Sequence, residues 1–360
     1  MSQSSTATFH MKRDPMILSY SGIASYQRCR HSWKLQNVYG LRTPLGTRPM
    51  DVGSATHAGI EHFLKGLGTA QAGVDAWVAE TLNKTLEDAG DAVADHLEDV
   101  RLTAHQTTAR VLREIEALGL QTFTKIEPLP VEVELQVKVP GWDAFAGHID
   151  WIATDPQGRV WVVDFKTRST FYAEDSEEVN LQNAIYQYLV SNVYGIIVDG
   201  TITFQVRSDR GREPKMNKNG TMSKAAIVCD WETYRAALVE NGLDPADYTD
   251  MEDKLSTVEF TRVLKATRTE KQLRTVWNTV VMPLAVEMAR VRDRAMSDDA
   301  GDRTIANRQA QRTLSQRTCS GCSVRDVCLN SLNGWDVQSH LARFDYRKPL
   351  VSLAAQEGTL

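Results

Sequence analysis

The sequence lacks long apolar runs and has few cysteines. No uninterrupted apolar segment approaches the ~20 residues of a membrane-spanning helix, so we expect no membrane partner. The first fifteen residues lack the apolar segment of a secretory signal. Five cysteines in 360 residues do not form the disulfide framework of a secreted domain. The expected compartment is the cytoplasm, where clustered cysteines more often bind metal or act in redox chemistry than form disulfides.

The sequence also has no excess of positive charge. Lysine and arginine total 41 against 46 aspartates and glutamates, which gives a net charge of −5. This balance argues against a generally basic nucleic-acid-binding surface, although it allows local basic patches. Hydrophobic residues make up 42% and charged residues 24%, as in ordinary globular proteins. The length suits one elaborated domain or two smaller ones.

Helical patterns dominate the first third of the chain. A helix is predicted to begin with Ser21 as its N-cap and to contain Cys29. A second helix should follow Gly53-Ser54, and two or three more should lie between residues 70 and 120.

After Pro128 the pattern changes to strands. VEVELQVKV alternates between apolar and polar residues, and AFAGHIDWIAT and VWVVDFKT follow as two more strands. A helix over about 177–193 and the strand GTITFQV come next. This order predicts a mixed α/β fold with an antiparallel meander at its centre. An insertion with one helix near 231–240, a long helix over about 269–296 and a loop-rich end should complete the chain.

Two predicted neighbouring strands carry acidic residues that can meet. Asp164 and Lys166 are two apart on one strand, so their side chains share a face, and Asp150 lies on the preceding strand. Two converging carboxylates suit a hard cation such as Mg²⁺ or Mn²⁺, and a lysine beside them can orient water for phosphodiester hydrolysis. A simple Asp164–Lys166 ion pair at a strand end is the alternative interpretation.

Other candidate residues have equally ordinary alternatives when taken singly. Gln182 and Tyr186 share a helix face, but a core tyrosine and a surface glutamine would show the same spacing. His57 alone would be read as a structural helix histidine. Glu132 and Glu134 alternate on one strand face, and they are interpreted either as additional metal contacts or as a solvated surface.

These residues together resemble a known family. G-x-I-D ending at Asp150, D-x-K fourteen residues later and Q-x-x-x-Y are similar to the PD-(D/E)XK nuclease superfamily, specifically its RecB-like branch. Gly53-x-x-x-His57 resembles the histidine motif of that branch, and SYSGIASYQRC, residues 19–29, resembles its N-terminal signature. The resemblance extends from Ser19 to about Cys328 and is weaker over 70–128 and 207–262.

The resemblance implies a restriction-endonuclease-like core, with a central mixed sheet flanked by helices, and a set of roles. Lys166 would act on the nucleophilic water, and Gln182 and Tyr186 would support Lys166 and the bound strand. The implied ligands of Mg²⁺ or Mn²⁺ are His57, Asp150, Asp164 and the carbonyl of Phe165.

The cysteines near the C-terminus form a second constellation. The close spacing of Cys319, Cys322 and Cys328 suits a metal or iron–sulfur site, and a fourth ligand would be Cys29 or Cys229. Cys229 has the apolar surroundings of a buried free thiol. Iron–sulfur RecB-like exonucleases, including the AddB nuclease domain and the CRISPR-associated exonucleases, have one cysteine before the core and three after it. The resemblance therefore implies a [4Fe–4S] cluster that includes Cys29, and a structural zinc site is the alternative.

A basic stripe is the candidate nucleic-acid contact. Its residues recur at every third position and would wind slowly around a helix if the stretch is helical. A solvated surface is the alternative for each residue alone. The stripe consists of Arg262, Lys265, Arg268, Lys271 and Arg274.

The leading hypothesis is a metal-dependent DNA exonuclease acting on single strands or free ends in recombination, repair or replication of a bacterium or phage. The alternative is a nuclease-fold module that binds DNA ends and recruits a helicase or integration partner without cleavage. A zinc-stabilised hydrolase of small phosphoesters is a weaker third hypothesis. The predicted segments are a flexible arm (1–18), a helical part (19–128), a nuclease core (129–206), an insertion (207–262) and a long helix with an iron–sulfur region (263–360).

Overall fold

The computed structural model describes most of the chain. The described residues are 16–42, 47–85, 91–209, 211, 214–225, 229–297, 299–334, 341 and 345–346. They fall into two compact units, each built from separate stretches of sequence. The first unit comprises Met1–Pro44, Gln136–Gly147 and Thr275–Leu360, and the second comprises Leu45–Leu135 and His148–Arg274. None of the helices in the described ranges is both long enough and apolar enough to cross a membrane.

The strands and helices are numbered in chain order. The strands are β1 (Ile17–Ser19), β2 (Leu41–Arg42), β3 (Gln121–Thr122), β4 (Val131–Val137), β5 (Ala144–Thr154), β6 (Val160–Arg168), β7 (Gly200–Arg207), β8 (Thr261–Ala266) and β9 (Asp345–Tyr346). The helices are α1 (Tyr20–Arg28), α2 (Arg30–Trp33), α3 (Arg48–Leu64), α4 (Ala70–Thr85), α5 (Asp91–Ala117), α6 (Leu181–Tyr194), α7 (Trp231–Glu240), α8 (Thr249–Leu255), α9 (Glu270–Val276), α10 (Met282–Met296), α11 (Ala300–Gln309), α12 (Gln316–Cys319) and α13 (Arg325–Asn333). Short 3₁₀ turns cover Glu174–Glu177 and Pro245–Tyr248, and π-helical turns cover Lys34–Val38 and Trp277–Val281.

The second unit contains a mixed sheet. β5 and β6 are antiparallel, with Trp151 opposite Val163. β6 and β7 are parallel, with Asp164 opposite Thr203, and α6 makes the crossover between them. β8 returns antiparallel to β7. The predicted α/β fold with a mixed central sheet flanked by helices is confirmed.

The core of the second unit lies around β6. The first six residues of this strand, VWVVDF, are all buried, as expected for a strand covered on both faces. Trp151, Val163 and Phe204 belong to one hydrophobic cluster with Ile60 of α3 and Val111 of α5. This packing of helices onto the sheet brings α3 to the part of β6 that carries Asp164 and Lys166.

Helix α3 begins earlier than its sequence suggested. It starts at Arg48, with Pro49 in its first turn, so Gly53 and Ser54 lie inside the helix rather than before it. Proline is favoured there because the first helical N–H groups need no partner within the helix. Further along, a Cβ on Gly59 would lie 2.7 Å from Val74 Cγ2, so the glycine permits α3 and α4 to pack closely.

The first unit contains the start of the described chain. Ser19, not Ser21, is the N-cap of α1, and its Oγ accepts a hydrogen bond from the Gly22 N–H. Cys29 ends α1 in an extended conformation instead of lying within the helix. Ile17 begins strand β1, which pairs in parallel with the start of β5, inside the segment predicted as a flexible arm. The rest of that arm, residues 1–15, lies outside the described residues.

The insertion contains the predicted helix over 231–240 as α7. It differs from its predicted form in two ways. A second helix, α8, follows α7, and the start of the basic stripe, at the end of the insertion, lies in strand β8. The helix predicted from about 269 to 296 is present as α9, a π-helical turn and α10.

Candidate active site

The carboxylates on β5 and β6 meet where the two strands pair. Phe165 donates its backbone N–H to Asp150 Oδ2 at 2.8 Å, which fixes the Asp150 carboxylate beside β6. Asp164 and Lys166 project from the same face of β6, and Lys166 Nζ donates to Asp164 Oδ1 at 2.6 Å. The structure therefore brings together the three residues that the strand pattern grouped.

Asp164 is the most deeply buried group of the site, with 1% of the residue exposed. Its Oδ1 also accepts a hydrogen bond from Gln182 Nε2 at 3.1 Å. Its Oδ2 is buried and has no hydrogen-bond partner among the described residues. Burial raises the pKa of this carboxyl above its ordinary value, and the nearby Asp150 adds to that effect while Lys166 opposes it. A buried carboxylate oxygen without a hydrogen-bond partner is the type of atom that a cation would bind.

Helix α6 supplies the supporting polar groups. Tyr186 is buried and shares a side-chain hydrogen bond with Gln182. Burial and the charge of Asp164 raise the pKa of Tyr186, and the charge of Lys166 opposes this effect. Burial opposes the charged form of Lys166, but attraction to Asp164 and Asp150 outweighs it and raises the pKa. Lys166 is therefore an ammonium ion at neutral pH.

Helix α3 presents His57 to the same place. His57 Nε2 lies 2.8 Å from the carbonyl oxygen of Phe165, and Nδ1 lies 3.5 Å from Glu132 Oε1 and 3.7 Å from Asp150 Oδ2. Burial disfavours the charged imidazole, but Asp150 and the Glu132 contact outweigh it and raise the pKa of His57 to about 9.

Glu132 joins this group, whereas Glu134 does not. The ligand atoms of His57, Glu132 and Asp150 all lie within 4.8 Å of one another. Glu134 instead pairs with His148 at 3.0 Å. Glu132 has a φ of 50°, a left-handed value that no other non-glycine residue adopts in the described part of the chain. Burial still alternates along β4, so both glutamates lie on its less buried face, and only Glu132 lies beside His57 and Asp150.

A divalent cation fits this donor set. Imidazole nitrogen, carboxylate oxygen and a backbone carbonyl are all suitable ligands for Mg²⁺ or Mn²⁺. Of the expected ligands, Asp150 lies 3.7 Å from His57 Nδ1 and the Phe165 carbonyl lies 2.8 Å from His57 Nε2, while Asp164 has an unpartnered buried oxygen on β6. Glu132 is a further donor that the sequence left undecided.

A buried glutamate holds α6 in place, and sequence analysis did not identify it. Glu177 accepts hydrogen bonds from Asn183 at 2.6 Å, from Asn180 at 3.2 Å and from Thr203 of β7 at 3.1 Å. Helix α6 consequently starts at Leu181, with Asn180 as its N-cap, rather than at Glu177 as predicted. A glutamate, an N-cap asparagine and a second asparagine at three-residue spacing were the available sequence signal.

The predicted basic stripe is not a helical stripe. Arg262 and Lys265 lie on β8, where residues three apart point to opposite faces, and Lys271 and Arg274 lie on α9. Arg268, between the two elements, hydrogen-bonds to the Glu177 carbonyl and the Thr201 hydroxyl.

Two of the remaining charges in this set are paired with acidic neighbours. Arg262 pairs with Glu259, and Arg274 pairs with Glu270. Arg262 also lies over the ring of Phe171, in the segment that follows β6. The five residues thus form no continuous cationic surface along one helix.

The four predicted cluster cysteines lie within the first unit. The Thr313 N–H donates to Cys29 Sγ at 3.4 Å, and Cys319 Sγ donates to the Thr313 carbonyl at 3.5 Å. Burial raises the pKa of the Cys328 thiol, and the nearby Cys29 and Cys322 raise it further while Arg312 opposes them. One short segment around Thr313 therefore contacts cysteines from both ends of the chain.

Comparisons with known proteins bear on this arrangement. A crystal structure from Eubacterium rectale named "Putative exonuclease" aligns with a TM-score of 0.36 and 10% sequence identity, covering 78% of this chain and 98% of that chain. A similarity at this level carries no argument about fold or activity. A comparison with curated proteins gave no match.

The family model provides the decisive comparison. The model of the PD-(D/E)XK nuclease superfamily matches residues 17–329. This range contains His57, Glu132, Asp150, Asp164 and Lys166, together with the α6 residues that support them. With most of its length matched, the chain belongs to the PD-(D/E)XK nuclease superfamily.

Proposed function

We propose that the chain is a divalent-metal-dependent deoxyribonuclease that removes nucleotides from DNA ends. The observation that carries this proposal is the meeting of His57, Glu132 and Asp150 next to the ion pair of the buried Asp164 with the partly exposed Lys166. A structural ion pair alone would not need a histidine and two further carboxylates around it. Such a concentration of acidic groups is costly unless a cation offsets it.

In this proposal, His57, Asp150, Asp164 and the Phe165 carbonyl hold Mg²⁺ or Mn²⁺, with Glu132 as a further ligand or as an orienting partner of His57. The bound ion would neutralise charge on the phosphate and lower the pKa of a water molecule. Hydrolysis forms a bond from the water oxygen to phosphorus and breaks one P–O ester bond. The leaving oxygen takes the electron pair and a proton, so that water is added across the ester.

Lys166 is suited to positioning and charge stabilisation. Its ammonium group, 2.6 Å from Asp164 Oδ1, would donate hydrogen bonds to the water or the phosphate. Gln182 would hold the Asp164 carboxylate through its hydrogen bond, and Tyr186 would hold Gln182 in turn. The pre-positioned donors then stabilise the charge that develops on the phosphate.

The proposal includes a [4Fe–4S] cluster on Cys29, Cys319, Cys322 and Cys328. The contacts of Thr313 with Cys29 and Cys319 support it, because they gather ligands from both ends of the sequence. A structural zinc site on the same four cysteines is the alternative.

The cluster would have a structural role. Joining residues near the two ends of the sequence closes a long loop, and such a cross-link restricts the unfolded chain. Binding of the cluster would also be coupled to folding of the first unit. The biological setting proposed with it is recombination, repair or replication in the cytoplasm of a bacterium or in a phage.

One assay tests the nuclease proposal. End-labelled linear single-stranded DNA, linear duplex and circular DNA are incubated with Mg²⁺ or Mn²⁺, with and without EDTA. We expect loss of linear substrates, protection of circles, and no activity with EDTA or in Asp164→Ala. Equal cleavage of circular DNA would contradict the exonuclease assignment. Tight binding of ends without cleavage would instead support a recruitment module for a helicase or integration partner.

A further inference from the structure

A cleft of about 590 Å³ extends from the candidate metal ligands along α3. One end is formed by His57, Glu132, Phe165 and Lys166, so the cleft is continuous with the site. The other end is formed by α3 and by Trp77 of α4. Of the remaining lining residues, Met50, Gly53 and Ser54 precede His57 on α3, Glu61 follows it, and Thr167 follows Lys166 on β6.

The spacing of the α3 residues explains the shape of the cleft. Met50, Gly53, His57 and Glu61 recur at intervals of three or four residues, so they follow one helix face. The middle of this face carries small side chains. A Cβ on Gly53 would lie 3.1 Å from Thr167 Oγ1, so a larger side chain would fill the space between α3 and β6.

Trp77 forms an aromatic wall. On one side it packs against the hydrophobic cluster of Val52, Ala55 and Val74, which fixes its position. On its other side it lines the cleft. Met50 lies at the same end and is 64% exposed, a high value for an apolar residue in a helix.

The two ends of the cleft have different chemistry. The metal end holds the acidic groups together with His57 and Lys166. Trp77 packs against Val52 and Ala55, on the part of α3 whose lining residues, Pro49, Met50, Gly53 and Ser54, are uncharged. Glu61 lies beyond His57 on α3 and pairs with Lys65. The Trp77 end therefore suits a flat, uncharged aromatic group rather than a phosphate.

We propose that the cleft holds one unpaired nucleotide next to the scissile phosphate, with its base stacked on Trp77. The inference rests on the proposed function, since the phosphate of that nucleotide would lie at the metal end. A volume near 590 Å³ is in the range of sites for small organic ligands and too small for a duplex. Bases within a duplex have no free face for an aromatic ring, so a flipped or single-stranded base is required. Trp77 thereby determines a preference for unpaired ends.

Abasic oligonucleotides test this inference. Wild-type protein and Trp77→Ala are compared on linear single strands with natural ends and on strands whose first or second nucleotide at either end is a stable abasic residue. If one base stacks on Trp77, the wild type should cleave the natural strand about tenfold faster than the abasic strand. Trp77→Ala should cleave both strands at the slow rate. Trp77→Phe keeps a ring and the packing, and it should retain most of the discrimination.

Phe63→Ala is the matched control, since Phe63 is an exposed aromatic residue of α3 that does not line the cleft. It should discriminate like the wild type. Equal rates on natural and abasic strands in the wild type, or full discrimination in Trp77→Ala, would overturn the inference and leave the nuclease proposal intact. Absence of cleavage of every DNA by the wild type would overturn the proposed function and this inference together.

Discussion

His57 Nε2 lies 2.8 Å from the carbonyl oxygen of Phe165, although α3 and β6 supply these atoms from distant parts of the sequence. Neighbouring ligands of an octahedral ion with bonds of about 2.1 Å are about 3 Å apart. The spacing of the two atoms is that of an N–H···O hydrogen bond, and it also matches adjacent ligand positions around one small cation. The other imidazole nitrogen faces Glu132, which can fix the orientation of the ring.

Replacing Lys166 should separate metal binding from cleavage. Lys166→Met keeps the length of the side chain and removes the ammonium group that contacts Asp164. Loss of a positioned charged donor should lower the single-turnover rate on linear DNA by about 100-fold or more, while Mn²⁺ still binds. Lys138→Met, at an exposed lysine, is the control. A rate within threefold of wild type would remove Lys166 from the proposed mechanism.

Glu132 and Glu134 form a matched pair for testing metal affinity. Glu132→Gln removes a carboxylate beside His57 and Asp150, and we expect Mn²⁺ affinity to fall about tenfold or more in calorimetry. Glu134→Gln disturbs the pair with His148, away from His57 and Asp150, and should bind Mn²⁺ like the wild type. Equal affinities in the two variants would place Glu132 outside the metal site.

Cysteine substitutions test the proposed cluster. Anaerobically purified wild-type protein should show visible absorption and contain iron and sulfide. Cys322→Ala should lose the visible absorption and the iron and sulfide. Its melting temperature and soluble yield should also fall, because the proposed cross-link between the two ends of the sequence would be lost. Cys229→Ala, at a buried thiol in the second unit, should keep its iron. A colourless wild-type protein with one bound zinc would contradict the iron–sulfur cluster. Unchanged stability of Cys322→Ala would contradict the proposed structural role of the cluster.

The insertion is held by an ion pair that should depend on pH. Arg110, with 2% of its side chain exposed, contacts Asp230 at 2.6 Å. Asp230→Asn should lower the free energy of unfolding by about 3 kcal/mol, as expected when one partner of a buried pair is removed. Asp250→Asn, which breaks an exposed pair with Lys224, should have little effect.

The sign of the pH effect follows from the pKa of Asp230. Burial alone would raise it, but the attraction and hydrogen bond of Arg110 outweigh burial and lower it. The stabilisation is then complete above the unfolded-state pKa of about 4 and is lost as the pH falls below it. Denaturant titrations from pH 6 to 3 should show a shallower loss for Asp230→Asn than for the wild type. Parallel curves would argue against this pair as the source.

The strand residues of the site were predictable because strand periodicity is local. Asp164 and Lys166 share a face whenever β6 is a strand, and the pairing with β5 follows from a short turn. The prediction of a helical basic stripe was wrong, because the three-residue spacing was assigned to a helix whereas Arg262 and Lys265 lie on strand β8. β-branched and apolar residues between the charges favour the strand there.

Other parts of the site depend on tertiary packing that no local pattern contains. Glu132 and Glu134 share one strand face by alternation, but tertiary packing places Glu132 beside His57 and Asp150 and places Glu134 beside His148. Trp77 looks like one apolar residue of an alanine-rich helix. Its place in the cleft arises from the close crossing of α3 and α4, which a glycine on α3 permits.

The backbone at Glu132 also implies a trade-off between stability and activity. A left-handed conformation costs a residue with a side chain about 1–2 kcal/mol, which glycine would avoid. Selection of variants for heat resistance alone should therefore favour Glu132→Gly and discard a carboxylate of the candidate metal group. Thermostable descendants of this chain would need a parallel screen for cleavage, because their gain in melting temperature would come from the site itself.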